Sequence, residues 1–201
     1  MSEPLLHLAS SSPRRREILT ALGLCFTCCG VDIDESPRGG ETAGELALRL
    51  ACEKARAADE NRHKGLPVLA ADTVVVSAGR ILGKPESAGD ALHMLGLLSG
   101  GEHSVLTAVA LLANNQLSTA SSTTAVRFRE ISRQEAKLYW QSGEAEGKAG
   151  AYAIQGVAGS FVESLSGSYS GVVGLPVFET AALLRKGGID LLAIAAARAG
   201  A

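Results

Sequence analysis

An aspartate in the middle of an apolar run is the residue of this sequence best suited to chemistry. Asp72 lies within residues 67–76, where every other position except Thr73 is apolar. A carboxylate placed there loses its hydration, which is costly unless the group is paired, bound to a metal or used in a reaction. Asp72 is therefore a candidate general base or metal ligand. A structural role, as the cap of a bulge at the end of a strand, remains open.

Three consecutive arginines follow a predicted helix start. Ser12 is a good N-cap and Pro13 suits the first helical position, so Arg14, Arg15 and Arg16 occupy the first turn. Cations at this end of a helix are disfavoured by roughly 0.3–1 kcal/mol each. A bound phosphate would remove the conflict, because arginines and free backbone amides both bind phosphate oxygens. The alternative is that Ser12 only caps the helix and the arginines lie in solvent.

Two lysines can extend this basic group. Lys54 lies on the inward side of a long helix that begins with the capping box at 42–45, and Lys84 lies in a tight Gly-Lys-Pro turn. Each lysine alone is typical of a solvated surface. Together with Arg14 and Arg15 they would form a cradle for a polyphosphate chain.

An acidic loop follows the second predicted strand. Asp32, Asp34 and Glu35 offer oxygen ligands for a hard divalent cation such as Mg²⁺, which binds through one or two carboxylates together with substrate phosphates. A solvated acidic loop without a ligand is the alternative.

Several classes of protein are excluded or disfavoured. The sequence has neither a P-loop nor a dinucleotide-binding fingerprint, and the segment 167–171 has Tyr169 where a serine hydrolase needs its nucleophile. A net charge of −2 and a pI near 6.1 argue against binding to nucleic acid polymers or membranes. We find no signal peptide or membrane span, which predicts a cytoplasmic protein. The four cysteines lack zinc-ligand spacing, so buried free thiols are expected, with redox or metal roles as alternatives.

Helical and strand-like segments alternate along the chain. The predicted helices span 13–22, 42–61, 86–98, 131–142 and 176–186. The predicted strands span 5–9, 26–30, 67–76 with an interruption at Asp72, 80–82, 104–113 and 118–129. The glycine-rich segment 143–159 is expected to form a loop with a short strand, and an alanine-rich tail follows residue 189. The last two strands read as a hairpin joined by Asn114 and Asn115. This order predicts an α/β fold built on a mixed sheet with flanking helices. No linker or shift in composition divides residues 1–201, so we expect one domain.

The order of these segments resembles the Maf family, nucleoside triphosphate pyrophosphatases also called septum-formation inhibitor-like proteins. The resemblance covers nearly the whole chain and rests on these segments: 8–15 (LASSSPRR), 32–35 (DIDE), 53–55 (EKA), 71–73 (ADT), 83–85 (GKP), 154–156 (IQG) and 173–176 (VGLP). It implies an elongated two-lobed architecture, similar to inosine triphosphatases, with a central cleft. It also implies a divalent metal, Mg or Mn, and cleavage between the α- and β-phosphates of a nucleotide.

The resemblance also assigns roles to residues. Asp72 would accept a proton from the attacking water, and the metal would lie near Asp72 and Glu35. Lys54, Lys84 and Arg15 would hold the phosphates, and Ser10 with the turn amides would meet them at the helix N-terminus. Charge neutralisation and positioning should dominate catalysis.

Three positions indicate which nucleobase the protein binds. Arg14, Thr73 and Gln155 stand where the 7-methyl-GTP branch of the family has an aromatic residue, a glutamine and a glutamate. A cationic base gains from stacking and from a carboxylate, neither of which is present here. Gln155 offers a donor and an acceptor to the O4 and N3–H edge of uracil or thymine. The resemblance is therefore to the dTTP/UTP pyrophosphatase branch, with a homodimer as the expected assembly. The alternatives are the 7-methyl-GTP branch and a non-catalytic module that senses nucleotides or regulates division.

Overall fold

The computed structural model describes residues 3–60 and 65–199. The strands are β1 (Leu6–Ala9), β2 (Phe26–Cys29), β3 (Val68–Ser77), β4 (Arg80–Leu82), β5 (Glu102–Ala113), β6 (Gln116–Phe128) and β7 (Val162–Ser166). The helices are α1 (Pro13–Ala21), α2 (Ala43–Glu60), α3 (Ala88–Leu98), α4 (Arg133–Gln141), α5 (Tyr169–Val173), α6 (Val177–Lys186) and α7 (Leu191–Ala199). Two 3₁₀ turns, Ala149–Ala151 and Val157–Phe161, precede β7.

The described strands form one mixed sheet. Its order is β2-β1-β3-β5-β6-β7, with β4 paired to β3 beside this path. β1 runs parallel to β2 and β3, and the remaining pairs are antiparallel. The predicted mixed α/β fold is confirmed.

β3 carries the key aspartate through the centre of the sheet. The strand runs without a break from Val68 to Ser77, so the expected interruption at Asp72 is wrong. Asp72 pairs in register with Ala108 of β5. The ladder hydrogen bonds come from the backbone and do not depend on the side chain, which is why a carboxylate does not end the strand.

Helix α2 presents Lys54 to the interior. Leu46 and Leu50 are buried against the sheet, and Lys54 follows four residues later on the same face, 8% exposed. The predicted capping box is confirmed: the Thr42 hydroxyl accepts from the Glu45 N–H at 3.3 Å, and the Thr42 N–H donates to the Glu45 carboxylate at 2.8 Å. The expected end of this helix at residue 61 lies outside the described residues.

Helix α1 begins differently from the prediction. Ser12 occupies the N-cap position with extended backbone angles and Pro13 is the first helical residue, but the Ser12 side chain makes no capping hydrogen bond. The Ser10 hydroxyl instead accepts from the Ser12 N–H at 3.1 Å. The turn before α1 is therefore held by Ser10.

The hairpin and the later elements show where sequence patterns succeed and fail. Asn114 and Asn115 have φ of 50° and 58°, which suits the tight turn joining β5 to β6. The predicted helices over 86–98 and 131–142 are present within shorter bounds, with Ser87 and Ser132 as N-caps. The prediction omitted β7, α5 and α7, which are short or have weak periodicity.

Three apolar clusters support the sheet. One lies beneath α1, α6 and α7 and includes Leu8 and Leu184; a second lies beneath α2 and includes Leu50. The third packs α3 and α4 around Phe128 at the other end of β5 and β6. The clusters hold opposite ends of the sheet, and the carboxyl end of β1 and the middle of β3 lie between them.

The cysteines are not buried as expected. Cys25 and Cys28 are exposed, and Cys29 and Cys52 are partly exposed; no disulfide joins cysteines of the described residues. The reason is topological, because β2 lies at the edge of the sheet and pairs only with β1. Among the described residues, no helix has the length and apolar character needed to cross a membrane.

Candidate active site

A cleft of about 420 Å³ opens between the start of α1, the middle of β3 and the segment after α4. All the site residues predicted from the sequence line it: Ser10, Arg14, Arg15, Glu35, Lys54, Asp72, Thr73, Lys84 and Gln155. The structure thus brings together residues that lie as far apart in the sequence as Ser10 and Gln155.

Lys54 joins two carboxylates at the floor of the cleft. Its Nζ atom lies 2.6 Å from Oδ1 of Asp72 and 2.5 Å from Oε1 of Glu35. The second oxygen of Glu35 accepts from Lys84 Nζ at 2.9 Å. Asp72 and Lys54 are each 8% exposed, whereas Lys84 is largely exposed. The carboxylate that no sequence neighbour could pair is therefore paired by a lysine from α2.

The lysines determine the charge of Glu35. Burial alone would raise the pKa of Glu35, but hydrogen bonds and charge from Lys54 and Lys84 outweigh it and lower the pKa to about 2. Glu35 is thus an anion at neutral pH. The Glu35 carboxylate lines the cleft together with the side chain of Asp72.

Arg15 is anchored on both sides of the cleft. Its Nε donates to the Gly174 carbonyl at 2.8 Å, and its terminal nitrogens donate to the Ser10 and Thr73 hydroxyls, both at 3.3 Å. Burial lowers the pKa of Arg15 from 12.5, and the charge of Asp72 opposes this. The guanidinium is held in one orientation, as a bidentate phosphate ligand requires.

The Thr73 hydroxyl is bonded to protein groups. It lies 3.0 Å from the Thr107 hydroxyl, which also bonds the Gly171 carbonyl at 2.7 Å, and it accepts from Arg15. Thr73 therefore sits in a polar chain that links β3, β5 and α5. Any effect of Thr73 on the base acts partly through the position of Arg15.

Arg14, Lys148 and Gln155 also line the cleft. Arg14 Nε donates to the Val173 carbonyl at 3.3 Å. Burial lowers the pKa of Arg14, and burial followed by the charge of Arg14 lowers the pKa of Lys148. The two cations are thus close enough to repel each other. Gln155 is exposed, with its amide open to the cleft.

Sequence reasoning missed Lys148 and Tyr152 as lining residues. Lys148 Nζ donates to the Glu146 carbonyl at 3.2 Å, and no ion pair is found for it among residues 3–60 and 65–199. Gly150, with a φ of 69°, turns this segment and donates to the Gly83 carbonyl at 3.0 Å, beside Lys84. The glycine-rich composition indicated a loop, but no pattern indicated that its ends would face the cleft.

Glu35 and Asp72 are the residues best placed to hold a metal. Both present carboxylate oxygens around one point, now bridged by the Lys54 ammonium. Asp34 instead accepts from the Ser36 N–H at 2.9 Å, and Asp32 does not line the cleft. In the described part of the chain, no cluster of three or more histidine, cysteine or acidic side chains is arranged to bind a metal. An ion here would take its other ligands from phosphates and water, as Mg²⁺ usually does.

Several known proteins are similar to this chain. Residues 5–187 match the family model described as Maf-like protein. A relative from Hahella chejuensis named dTTP/UTP pyrophosphatase is 53% identical over 188 residues, covering 92% of this chain and 94% of the relative. A relative of the same name from Bordetella avium is 50% identical over 196 residues, covering 94% and 98%. The solved structure of the Staphylococcus aureus Ham1 protein is 15% identical, with a TM-score of 0.40 and coverage of 61% of this chain and 71% of that one. The family match covers most of the chain, and the chain belongs to the Maf family.

Proposed function

We propose that this protein hydrolyses dTTP and UTP to the nucleoside monophosphate and pyrophosphate. The observation that carries the proposal is the single cleft in which the Lys54, Asp72 and Glu35 cluster faces Arg15 and Gln155. Two relatives with 53% and 50% sequence identity are named dTTP/UTP pyrophosphatase. The site therefore unites phosphate ligands, a carboxylate base and a polar amide for the nucleobase.

The triphosphate lies along the basic side of the cleft. Arg15 donates from its fixed guanidinium, while Lys84 and Lys54 neutralise the β- and γ-phosphates. Ser10 and the backbone amides at the start of α1 supply neutral donors. This arrangement favours departure of pyrophosphate, because the leaving group gains charge as the bond to the α-phosphate breaks.

Asp72 takes the proton of the attacking water. The water oxygen bonds to the α-phosphorus, the bond from the α-phosphorus to the bridging oxygen breaks, and pyrophosphate leaves with that oxygen. One water and one nucleoside triphosphate thus give one monophosphate and one pyrophosphate. Lys54 holds the Asp72 carboxylate at 2.6 Å and so orients the oxygen that accepts the proton.

A divalent cation, Mg or Mn, fits the oxygen ligands of Glu35 and Asp72. When bound, it supplies further neutralisation of phosphate charge. Lys54 lies between the two carboxylates, so a bound ion would compete with the lysine for their oxygens.

The nucleobase of the substrate lies next to Arg14, Thr73 and Gln155. The Gln155 amide pairs with the O4 and N3–H groups of uracil or thymine. Arg14 disfavours the cationic 7-methylguanine by charge repulsion. The relatives' names also disfavour the 7-methyl-GTP branch and the non-catalytic module as alternatives.

Pyrophosphate release from dTTP, UTP, CTP, dATP, GTP and 7-methyl-GTP, with and without Mg²⁺ or Mn²⁺, tests the proposal. We expect metal-dependent release from dTTP and UTP, at least about tenfold faster than from 7-methyl-GTP. Asp72→Asn should bind nucleotide yet lose roughly 100-fold or more in turnover. If no nucleotide is cut while binding persists, the protein belongs to the sensing class. Turnover retained in Asp72→Asn would refute the role of Asp72.

The assembly and the location of the protein are further proposals. The expected homodimer and the cytoplasmic location rest on the resemblance to the Maf family. Light scattering of the purified protein tests the dimer. Fractionation of the native cells tests the location.

A further inference from the structure

The turn that carries Gln155 is bonded at both ends to one neighbouring element. The Ala153 N–H, two residues before Gln155, donates to the Tyr139 hydroxyl at 3.0 Å. The Val157 N–H, two residues after it, donates to Oε1 of Glu144 at 2.9 Å. Tyr139 lies in α4 and Glu144 in the turn that follows α4. The backbone on both sides of Gln155 is thus hydrogen-bonded to side chains of α4 and the turn after it.

The Glu144 carboxylate also lies against the backbone of the turn. A Cβ atom on Gly156 would clash with the Glu144 carboxylate, so a side chain at this position would require Glu144 to move. The Gly156 N–H donates to the Ala153 carbonyl at 3.0 Å and closes the turn. The position of Glu144 therefore limits where the turn can lie.

The supporting unit is itself rigid. Tyr139 is 3% exposed and its ring packs edge to face on Phe161, with centroids 5.4 Å apart. Ser132 and Glu135 form a capping box at the start of α4, and the Ser142 hydroxyl accepts from the Glu144 N–H at 3.3 Å. A rigid support fixes the group it holds better than a loop does.

One polar atom of the support lacks a hydrogen-bond partner among the described residues. Oε2 of Glu144 is buried and has no hydrogen-bond partner in the described part of the chain. An unpaired buried carboxylate oxygen costs free energy, and such costs are common at functional sites. Burial raises the pKa of Tyr139, the hydrogen bond from Ala153 opposes this, and the Glu144 charge adds to the rise. The charge of Arg14, which lines the cleft, lowers the pKa of Tyr139 slightly.

We infer that Tyr139 and Glu144 are positioning residues that fix Gln155 in the orientation that selects a pyrimidine with the uracil or thymine edge. The inference rests on the proposed function. Neither side chain lines the cleft, so both act through the Gln155 backbone. The phosphates are bound elsewhere, by Arg15, Lys54 and Lys84. Loss of the support should therefore weaken recognition of the base and leave the hydrolytic step intact.

The test compares dTTP with CTP, which presents a different hydrogen-bond edge. Tyr139→Phe removes the acceptor for Ala153 but keeps the ring, and Glu144→Ala removes the acceptor for Val157. We expect each to lower the ratio of kcat/KM for dTTP to that for CTP by about tenfold, through a higher KM for dTTP with kcat little changed. Glu144→Gln keeps a carbonyl oxygen for Val157 and should retain most of the ratio. Circular dichroism checks that each variant folds. If Glu144→Ala does not fold, the comparison of Tyr139→Phe with Glu144→Gln still tests the inference.

Matched controls are Tyr169→Phe and Glu163→Gln, at exposed positions that do not line the cleft. Both should keep the wild-type ratio. An unchanged ratio in Tyr139→Phe and Glu144→Ala, or an equal fall in kcat for both nucleotides, overturns the inference alone. Wild-type protein that releases no pyrophosphate from either nucleotide overturns the proposed function and the inference with it.

Discussion

A buried histidine behind the cleft makes the stability of this protein depend on pH. His103 is 2% exposed, and its Nε2 lies 2.9 Å from the hydroxyl of Tyr152, which lines the cleft. Its ring packs edge to face on Phe128 and Tyr152, with centroids 4.8 and 5.4 Å apart. Burial lowers the pKa of His103 from 6.5 to about 4. The folded protein therefore holds a neutral imidazole at neutral pH.

The sign of the effect follows from where the proton binds. Below pH 6.5 the unfolded chain protonates His103, while the folded chain resists protonation until about pH 4. The unfolded state thus gains stability as the pH falls, and the free energy of unfolding decreases. Above pH 6.5, the neutral His103 makes its full contribution to the free energy of unfolding. About 2 kcal/mol of it is lost by pH 5 and about 3 kcal/mol by pH 4.

His103→Gln removes this titration and keeps an amide that can bond Tyr152. Urea unfolding followed by circular dichroism, at pH 7.5 and at pH 5.0, gives the loss of unfolding free energy for each protein. Because the other groups titrate in both proteins, the variant should lose about 2 kcal/mol less than the wild type. His93→Gln, at an exposed position on α3, should keep the wild-type pH dependence. An equal loss in His103→Gln and wild type would refute the reasoning.

Three further predictions concern the cleft and its support. Lys54→Met removes the cation shared by the two carboxylates and should lower pyrophosphate release about 100-fold, whereas the exposed Lys137→Met should not. Lys148→Met removes a charged donor at the cleft wall, so the KM for dTTP should rise about tenfold in steady-state assays; an unchanged KM would show that Lys148 does not touch the substrate. Ser132→Ala breaks the capping box with Glu135 and should cost about 1 kcal/mol of unfolding free energy in urea titrations; a loss near zero would contradict the cap.

The elements that carry the main site residues could be predicted from local patterns. The run of apolar residues around Asp72 indicated a buried strand, and the spacing from Leu50 to Lys54 indicated that the lysine faces inward. These inferences need only the periods of a strand and a helix. The pairing of Lys54 with Asp72 could not be read in this way, because it depends on how α2 lies across the sheet.

Other features could not be predicted because they depend on tertiary contacts and on the order of strands in the sheet. The cysteines of β2 looked buried, because an apolar strand reads alike at the centre and at the edge of a sheet. Tyr139 and Glu144 gave no signal, since their role is to bond backbone groups more than ten residues away. The helix α7 looked like an alanine-rich tail, because its apolar residues show little amphipathic pattern.

The bonds of the two arginines at the start of α1 set the order in which the site can form during synthesis. Arg14 and Arg15 emerge from the ribosome well before their acceptors, because the carbonyls of Val173 and Gly174 lie 159 positions later in the sequence. A nascent chain that ends before Val173 lacks the groups that orient both guanidiniums. The cleft is therefore completed only when most of the chain has been made, and partial translation products should not hydrolyse nucleotides.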